Sequence, residues 1–111
     1  MHGTWSAKYC QLGKIVIIRA SFTVGSTTTK GTGITFSLPV TAATTSISSI
    51  ARLNGTTTNY GFTYINSTTT GQVYVFNAST TYLAAAGITS TVPFTWATGD
   101  SFDFQMSYEA A

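Results

Sequence analysis

Charged residues are scarce in this chain. Only 7% of its 111 residues are charged, and five Lys or Arg against three Asp or Glu leave a formal net charge of +2. Soluble domains usually have about a quarter of their residues charged, and a protein that binds a phosphate backbone needs a basic stripe. A nucleic-acid partner is therefore not expected. Uncharged Thr, Ser, Asn and Gly must cover most of the surface, which suits an extracellular or virion-exposed protein.

Histidine and cysteine occur once each. His2 stands near the N-terminus, so a Ser/His/Asp or Cys/His arrangement has no well-placed base, and we do not expect an enzyme. Cys10 cannot close an internal disulfide, and its position in an alternating segment predicts a small buried filler.

Long apolar runs are absent as well. The most apolar run, residues 15–18, is far shorter than the roughly 20 residues of a membrane-spanning helix, and no segment resembles a signal peptide. We therefore expect a soluble domain with no membrane partner.

The three carboxylates do not form a usual hydrolytic or metal site. Asp103 and Glu109 lie six residues apart on one predicted strand, a separation of about 20 Å that is too long for a glycosidase pair. Asp100 and Asp103 offer only two ligands for a calcium ion, and a turn at residues 97–100 accounts for Asp100 better. We expect no metal and no cofactor.

Hydroxyl side chains and alternating apolar residues dominate the rest of the sequence. The chain contains 23 Thr and 12 Ser, and β-branched and aromatic residues favour extended backbone. Alternation predicts strands at residues 5–11, 14–24, 34–38, 47–54, 60–65, 73–76 and 101–108. Between them, a loop is predicted at residues 25–33, turns at Asn54, Asn66 and Asn77, and one helical turn at residues 84–86.

These elements predict an all-β fold. We expect a single domain over residues 1–111, a two-sheet antiparallel β-sandwich of jelly-roll type with seven or eight strands. Ile15 and Ile17 lie on the second face of a strand whose other face is apolar, which predicts cover by loops or by a neighbouring subunit. Because Met1 and His2 directly precede the first strand, we interpret the chain as a domain excised from a longer virion protein.

Aromatic residues are the best candidates for a binding site. Six of them crowd two predicted strands and the loop that follows: Tyr60, Phe62, Tyr64, Tyr74, Phe76 and Tyr82. A tyrosine supplies a large apolar surface with a polar tip, so it serves in a wet binding surface as well as in a core. Tyr60, Tyr64, Tyr74 and Tyr82 are therefore our candidate binding residues, with a place in the core as the open alternative.

Two groups of motifs stand at the ends of the chain. The first comprises YCQLGKIV at residues 9–16, GSTTT at 25–29, GTG at 31–33 and SLPV at 37–40, and the second comprises PFTWATGD at 93–100 and YEAA at 108–111. Together they resemble β-sandwich domains of tailed-bacteriophage structural proteins. The resemblance implies a non-enzymatic virion module, commonly a homotrimer, that contacts a host surface or decorates the particle. It brings no catalytic motif.

Three functions are compatible with these observations. The first is a phage tail-fibre or receptor-binding domain on the virion surface that contacts host envelope glycan or protein through the variable middle of the chain. The second is a purely structural capsid or tail decoration domain that contacts other virion proteins, which Ile15 and Ile17 favour. The third is a carbohydrate-binding module of a secreted enzyme.

Overall fold

Eight β-strands make up most of the chain. The computed structural model describes residues 3–25 and 34–111, with the backbone alone at Ile34, Ile47 and Ser48. The strands are β1 (Gly3–Leu12), β2 (Ile15–Val24), β3 (Ile34–Ser37), β4 (Ser46–Asn54), β5 (Thr58–Ile65), β6 (Thr70–Asn77), β7 (Ala84–Gly87) and β8 (Ser101–Glu109). No helix in the described part of the chain has the length and apolar character needed to cross a membrane. The all-β prediction is confirmed.

All eight strands belong to one antiparallel sheet. Its order is β1-β2-β8-β4-β5-β6-β3, and β7 pairs with the second half of β6, beyond the part that pairs with β3. The prediction of two sheets is therefore not met, because β8 pairs with β2 on one side and with β4 on the other. The single sheet is curled into a half-barrel, and its inner face encloses the core.

The core fills the inside of the curl. Every second residue of β2 and β8 is buried there, as the alternation predicted: Val16, Ile18, Ala20, Phe22, Val24, Phe102, Phe104, Met106 and Tyr108. Phe94 and Trp96 are buried just before β8 with their ring centroids 4.6 Å apart, and the Trp96 indole N–H donates to the Val92 carbonyl at 3.2 Å. These two rings anchor the chain that enters β8.

Strand β1 forms one edge of the sheet, and all ten of its residues are exposed. Trp5 nevertheless packs on the core: its ring centroid lies 5.8 Å from those of Phe22 and Phe102. The prediction of a buried Cys10 is wrong, because that thiol lies on the outward side of an edge strand and is exposed. Ile15 on β2 is also exposed, at 55%.

Two other predictions of local structure need correction or completion. The helical turn predicted at residues 84–86 is instead part of β7, because pairing with β6 outweighs the helix preference of alanine. In β4 a register shift separates Ile47 from Ser49, so that Ile47 pairs with Tyr64 and Ile50 with Phe62. This bulge explains the broken alternation of that strand. His2 and residues 26–33 of the loop predicted at residues 25–33 lie outside the described residues.

The predicted turns are built by side-chain caps. The Asp100 carboxylate accepts a hydrogen bond from the Ala97 N–H at 2.7 Å, and Gly99 adopts a positive φ of 94°. Asn54 and Asn77 accept bonds from residues further along the chain, Thr58 and Ser79, each at 3.0 Å. The interpretation of Asp100 as a turn residue is confirmed, and no three His, Cys, Asp or Glu side chains gather as metal ligands within residues 3–25 and 34–111.

Candidate functional site

Five aromatic side chains cover the outer face of β5 and β6. The inward positions of these strands hold small or aliphatic residues such as Gly61 and Val73, which pack on the core. The outward positions hold the rings, because alternate residues of a strand point to opposite faces. We refer to the five as the aromatic face: Tyr60, Phe62, Tyr64, Tyr74 and Phe76.

Four of the five rings of the aromatic face contact one another across the two strands. Phe62 pairs with Tyr74 in the sheet, and their rings stack with centroids 5.3 Å apart. Phe76 lies 5.5 Å from Phe62, and Tyr64 meets Tyr74 edge-on at 6.3 Å. Tyr60 and Phe76 are 57% and 38% exposed. Aromatic surface of this extent, left open to solvent, is typical of an interaction site.

Polar groups border the aromatic face. The Tyr74 hydroxyl donates to the Gln72 side-chain carbonyl at 3.2 Å, and that same oxygen accepts from the Asn66 amide at 3.5 Å. These groups lie at the end of the face that is next to the turn between β5 and β6. The arrangement combines flat apolar surface with hydrogen-bonding edges.

The structure brings three of the four candidate tyrosines together. Tyr60, Tyr64 and Tyr74 belong to the aromatic face, so the alternative of a core position does not apply to them. Tyr82 lies apart, in the connection between β6 and β7, where it is 84% exposed and makes no ring contact with the described residues. Sequence reasoning selected the tyrosines and left out Phe62 and Phe76, which occupy the same face.

A groove of about 830 Å³ crosses the outer side of the sheet next to the aromatic face. Its floor follows a row of paired outward residues on five strands: Ser6, Ser21, Asp103, Arg52 and Tyr60. Lys8, Arg19 and Gln105 form a second row beside it on β1, β2 and β8. Tyr60 thus belongs to both the groove and the aromatic face.

Charge in the groove is unevenly balanced. Arg52 Nε lies 3.0 Å from an Asp103 carboxylate oxygen, with each side chain about half exposed. Lys8 and Arg19 are cross-strand partners on the same face, and neither makes an ion pair or hydrogen bond with a described residue. Two cations in the groove are therefore without a countercharge in this part of the chain.

Sequence reasoning did not identify the groove. Alternation separates Lys8, Arg19 and Asp103 from the apolar faces of their strands, but it leaves the face of Arg52 open and does not reveal which strands are neighbours. Asp103 is held by Arg52, and Glu109 stands at the other end of β8, opposite Ile15. The separation of these two carboxylates along one strand agrees with the sequence argument against a glycosidase pair.

Comparisons of this chain with protein-family models, with curated proteins and with solved structures found no match.

Proposed function

We propose that this protein is a non-catalytic recognition domain that binds glycan of a bacterial envelope through the aromatic face and the adjoining groove. The observation that carries the proposal is the aromatic face: four rings in mutual contact, with Tyr60 next to them on β5, all on the outer side of the sheet. Rings held by their neighbours lose little entropy when a ligand stacks on them.

Sugar chemistry fits this surface. A sugar ring has a face of C–H groups that packs on an aromatic ring, and a rim of hydroxyls that needs donors and acceptors. The aromatic face supplies the first requirement, and Gln72, Arg52 and Asp103 supply the second within the same stretch of sheet. A protein partner would use the same rings but would not require the open groove beside them.

We place the domain on the surface of a bacteriophage virion, as a part of a tail-fibre or receptor-binding protein. This setting rests on the motifs at residues 9–16 and 93–100, which resemble those of phage structural domains. The same resemblance favours a homotrimer that contacts other virion proteins. Exposed Ile15 and Ile17, at 55% and 40%, support subunit contacts on the outer side of β2.

A capsid or tail decoration domain is the second candidate, and these two isoleucines favour it as well. In that case the aromatic face would also be buried against virion proteins. A carbohydrate-binding module of a secreted enzyme would share the glycan site but would work as a monomer. Light scattering on the purified domain distinguishes the module from the two virion functions, which predict a trimer.

The test of function is calorimetric titration of the domain with soluble envelope oligosaccharides, selected by screening labelled domain against bacterial cells and envelope glycans. Soluble oligosaccharides report the affinity of one site, without the avidity of an oligomer. We expect Tyr60→Ala to weaken binding by about tenfold or more, or about 1.4 kcal/mol. Tyr9→Ala is the matched control, since Tyr9 is 56% exposed but lies on the core side of β1.

Tyr82→Ala tests the remaining candidate tyrosine in the same assay. If Tyr82→Ala abolishes binding and Tyr60→Ala does not, the site lies at the β6–β7 connection and the aromatic face is the wrong surface. If the folded wild-type domain binds no envelope glycan, decoration becomes the better account of the protein.

A further inference from the structure

Two cations face each other directly in the groove. Lys8 on β1 and Arg19 on β2 are cross-strand partners, and both project from the outer side of the sheet. Like charges at directly opposite positions of an antiparallel pair destabilise a sheet. The folded protein therefore bears a small electrostatic cost at this place, and an anion bound between the two side chains would relieve it.

The cations of the described residues are concentrated in this groove. Of the four Lys and Arg in residues 3–25 and 34–111, three line it, whereas Lys14 lies at the β1–β2 turn. One carboxylate, Asp103, balances Arg52. The groove residues therefore bear a net charge of two, in a domain where only 7% of residues are charged. Within residues 3–25 and 34–111, positive charge is thus concentrated at one place on the surface.

We propose that the groove binds an anionic glycan, with Lys8 and Arg19 holding a carboxylate or phosphate group of the chain while Tyr60 stacks on a neighbouring sugar. This inference rests on the proposed function and specifies its ligand class. The row from Ser6 to Tyr60 spans five strands, and four spacings of about 4.8 Å give a length of about 19 Å. That length accommodates several sugar units, so one chain can reach both the cations and the aromatic ring.

Arg19 and Lys8 have complementary roles in this arrangement. The planar guanidinium of Arg19 can donate two parallel hydrogen bonds to a carboxylate or phosphate, whereas the Lys8 ammonium acts as a point charge. Gln105, the partner of Arg19 on β8, supplies an uncharged donor and acceptor next to them. The groove thus offers charge at its β1–β2 end and a ring at its β5 end.

The experiment compares matched probes by calorimetric titration. They are an oligogalacturonate, its carboxyl-reduced form of the same length and linkage, and a phosphate-bearing mannan oligosaccharide of similar length. We expect at least one anionic probe to bind about tenfold or more tightly than the neutral one. The preference should shrink as salt is added, because the charges lie near the surface. The two anionic probes distinguish carboxylate from phosphate as the bound group.

Two variants assign the effect to the groove. Lys8→Gln combined with Arg19→Gln should remove the preference, so that this variant binds the anionic and neutral probes with equal affinity. Lys14→Gln removes one positive charge outside the groove and should keep the preference. The double variant should be at least as stable to urea as the wild type, because it removes a like-charge pair, so a loss of binding will not reflect a loss of fold.

Two results would overturn the inference. Equal binding of neutral and anionic probes would leave the glycan site intact but show that Lys8 and Arg19 do not select charge. An equal loss from Lys14→Gln would show that net charge alone is responsible. Failure of every glycan, neutral or anionic, would instead reject the proposed function, and the ligand class with it.

Discussion

Tyr108→Phe tests the hydrogen bonds that join β8 to the segment between β3 and β4 across the inside of the curled sheet. The Tyr108 hydroxyl donates to the Val40 carbonyl at 2.7 Å and accepts from the Val40 N–H at 3.2 Å. Both bonds connect β8 to the segment between β3 and β4, 68 residues earlier in the chain. The substitution removes one oxygen atom and keeps the buried ring, so it probes these two bonds and little else.

The expected cost follows from the burial of the groups left behind. A hydrogen bond contributes about 0.5–1.5 kcal/mol net, and an unsatisfied buried partner costs about 1–3 kcal/mol. Val40 is half-buried, so water replaces part of what is lost. We therefore expect Tyr108→Phe to lower the free energy of unfolding by about 2 kcal/mol, measured by urea denaturation with an unchanged slope. Tyr60→Phe is the control: Tyr60 is exposed, so this substitution should change the free energy of unfolding by less than about 0.5 kcal/mol.

The pH dependence of the same variant provides a second check. Burial raises the pKa of Tyr108 above its ordinary value of 10.0, and the bonds to Val40 oppose that rise only partly. Below pH 10 the phenol is neutral in both states, and its contribution to stability is complete. Above pH 10 the unfolded chain ionises first, so the contribution falls as the pH rises through the pKa of the folded state.

The difference in stability between wild type and Tyr108→Phe should therefore shrink above pH 10. The other five tyrosines are common to both proteins. The charge of Tyr9 is one cause of the raised pKa of Tyr108, so it belongs to the effect under test. If the two proteins differ by less than about 0.5 kcal/mol in free energy of unfolding at neutral pH, the bonds between Tyr108 and Val40 do not stabilise the fold as argued. A difference that stayed constant across the alkaline range would contradict the raised pKa.

Four further substitutions test the packing and one turn. Gly61→Ala would place a Cβ against the Tyr74 carbonyl oxygen of the neighbouring strand, so we expect a loss of folded protein in circular dichroism. Leu53→Ala should cost about 2–5 kcal/mol in urea denaturation, because Leu53 is fully buried. Ile50→Ala, at a residue 67% exposed, should cost far less. Asp100→Ala removes the cap on the Ala97 N–H and should lower the thermal midpoint, with a cost of about 1 kcal/mol.

Local pattern was sufficient to predict the strands with two clearly different faces. In β2 and β8 each buried residue alternates with an exposed or half-exposed one, and the sequence shows that period directly. In the alanine-rich β7, side-chain pattern is weak, and pairing with β6 decides the conformation. Pairing of this kind depends on residues distant in sequence, so a local reading of residues 84–86 could not detect it.

One part of the candidate site could be predicted from local sequence and the other could not. The aromatic face lies on two strands joined by a short turn, so neighbouring sequence segments become neighbouring strands and the rings were identified together. The groove draws on β1, β2, β8, β4 and β5, and its continuity depends on β8 lying between β2 and β4. Nothing local to residues 101–109 indicates that position. The positive end of the groove was therefore not predicted.

Position in the sheet also explains why β1 and β2 differ in burial despite similar alternation. β2 is flanked by β1 and β8, whereas β1 pairs only with β2 among the described strands, and its other backbone edge has no partner among them. Unpaired edges invite pairing with other chains, and a lysine in the middle of the strand is a common defence. Lys8 occupies that position in β1. In the proposed trimer, subunit contacts are therefore expected at Ile15 and Ile17, at the start of β2, and not by extension of the sheet at β1.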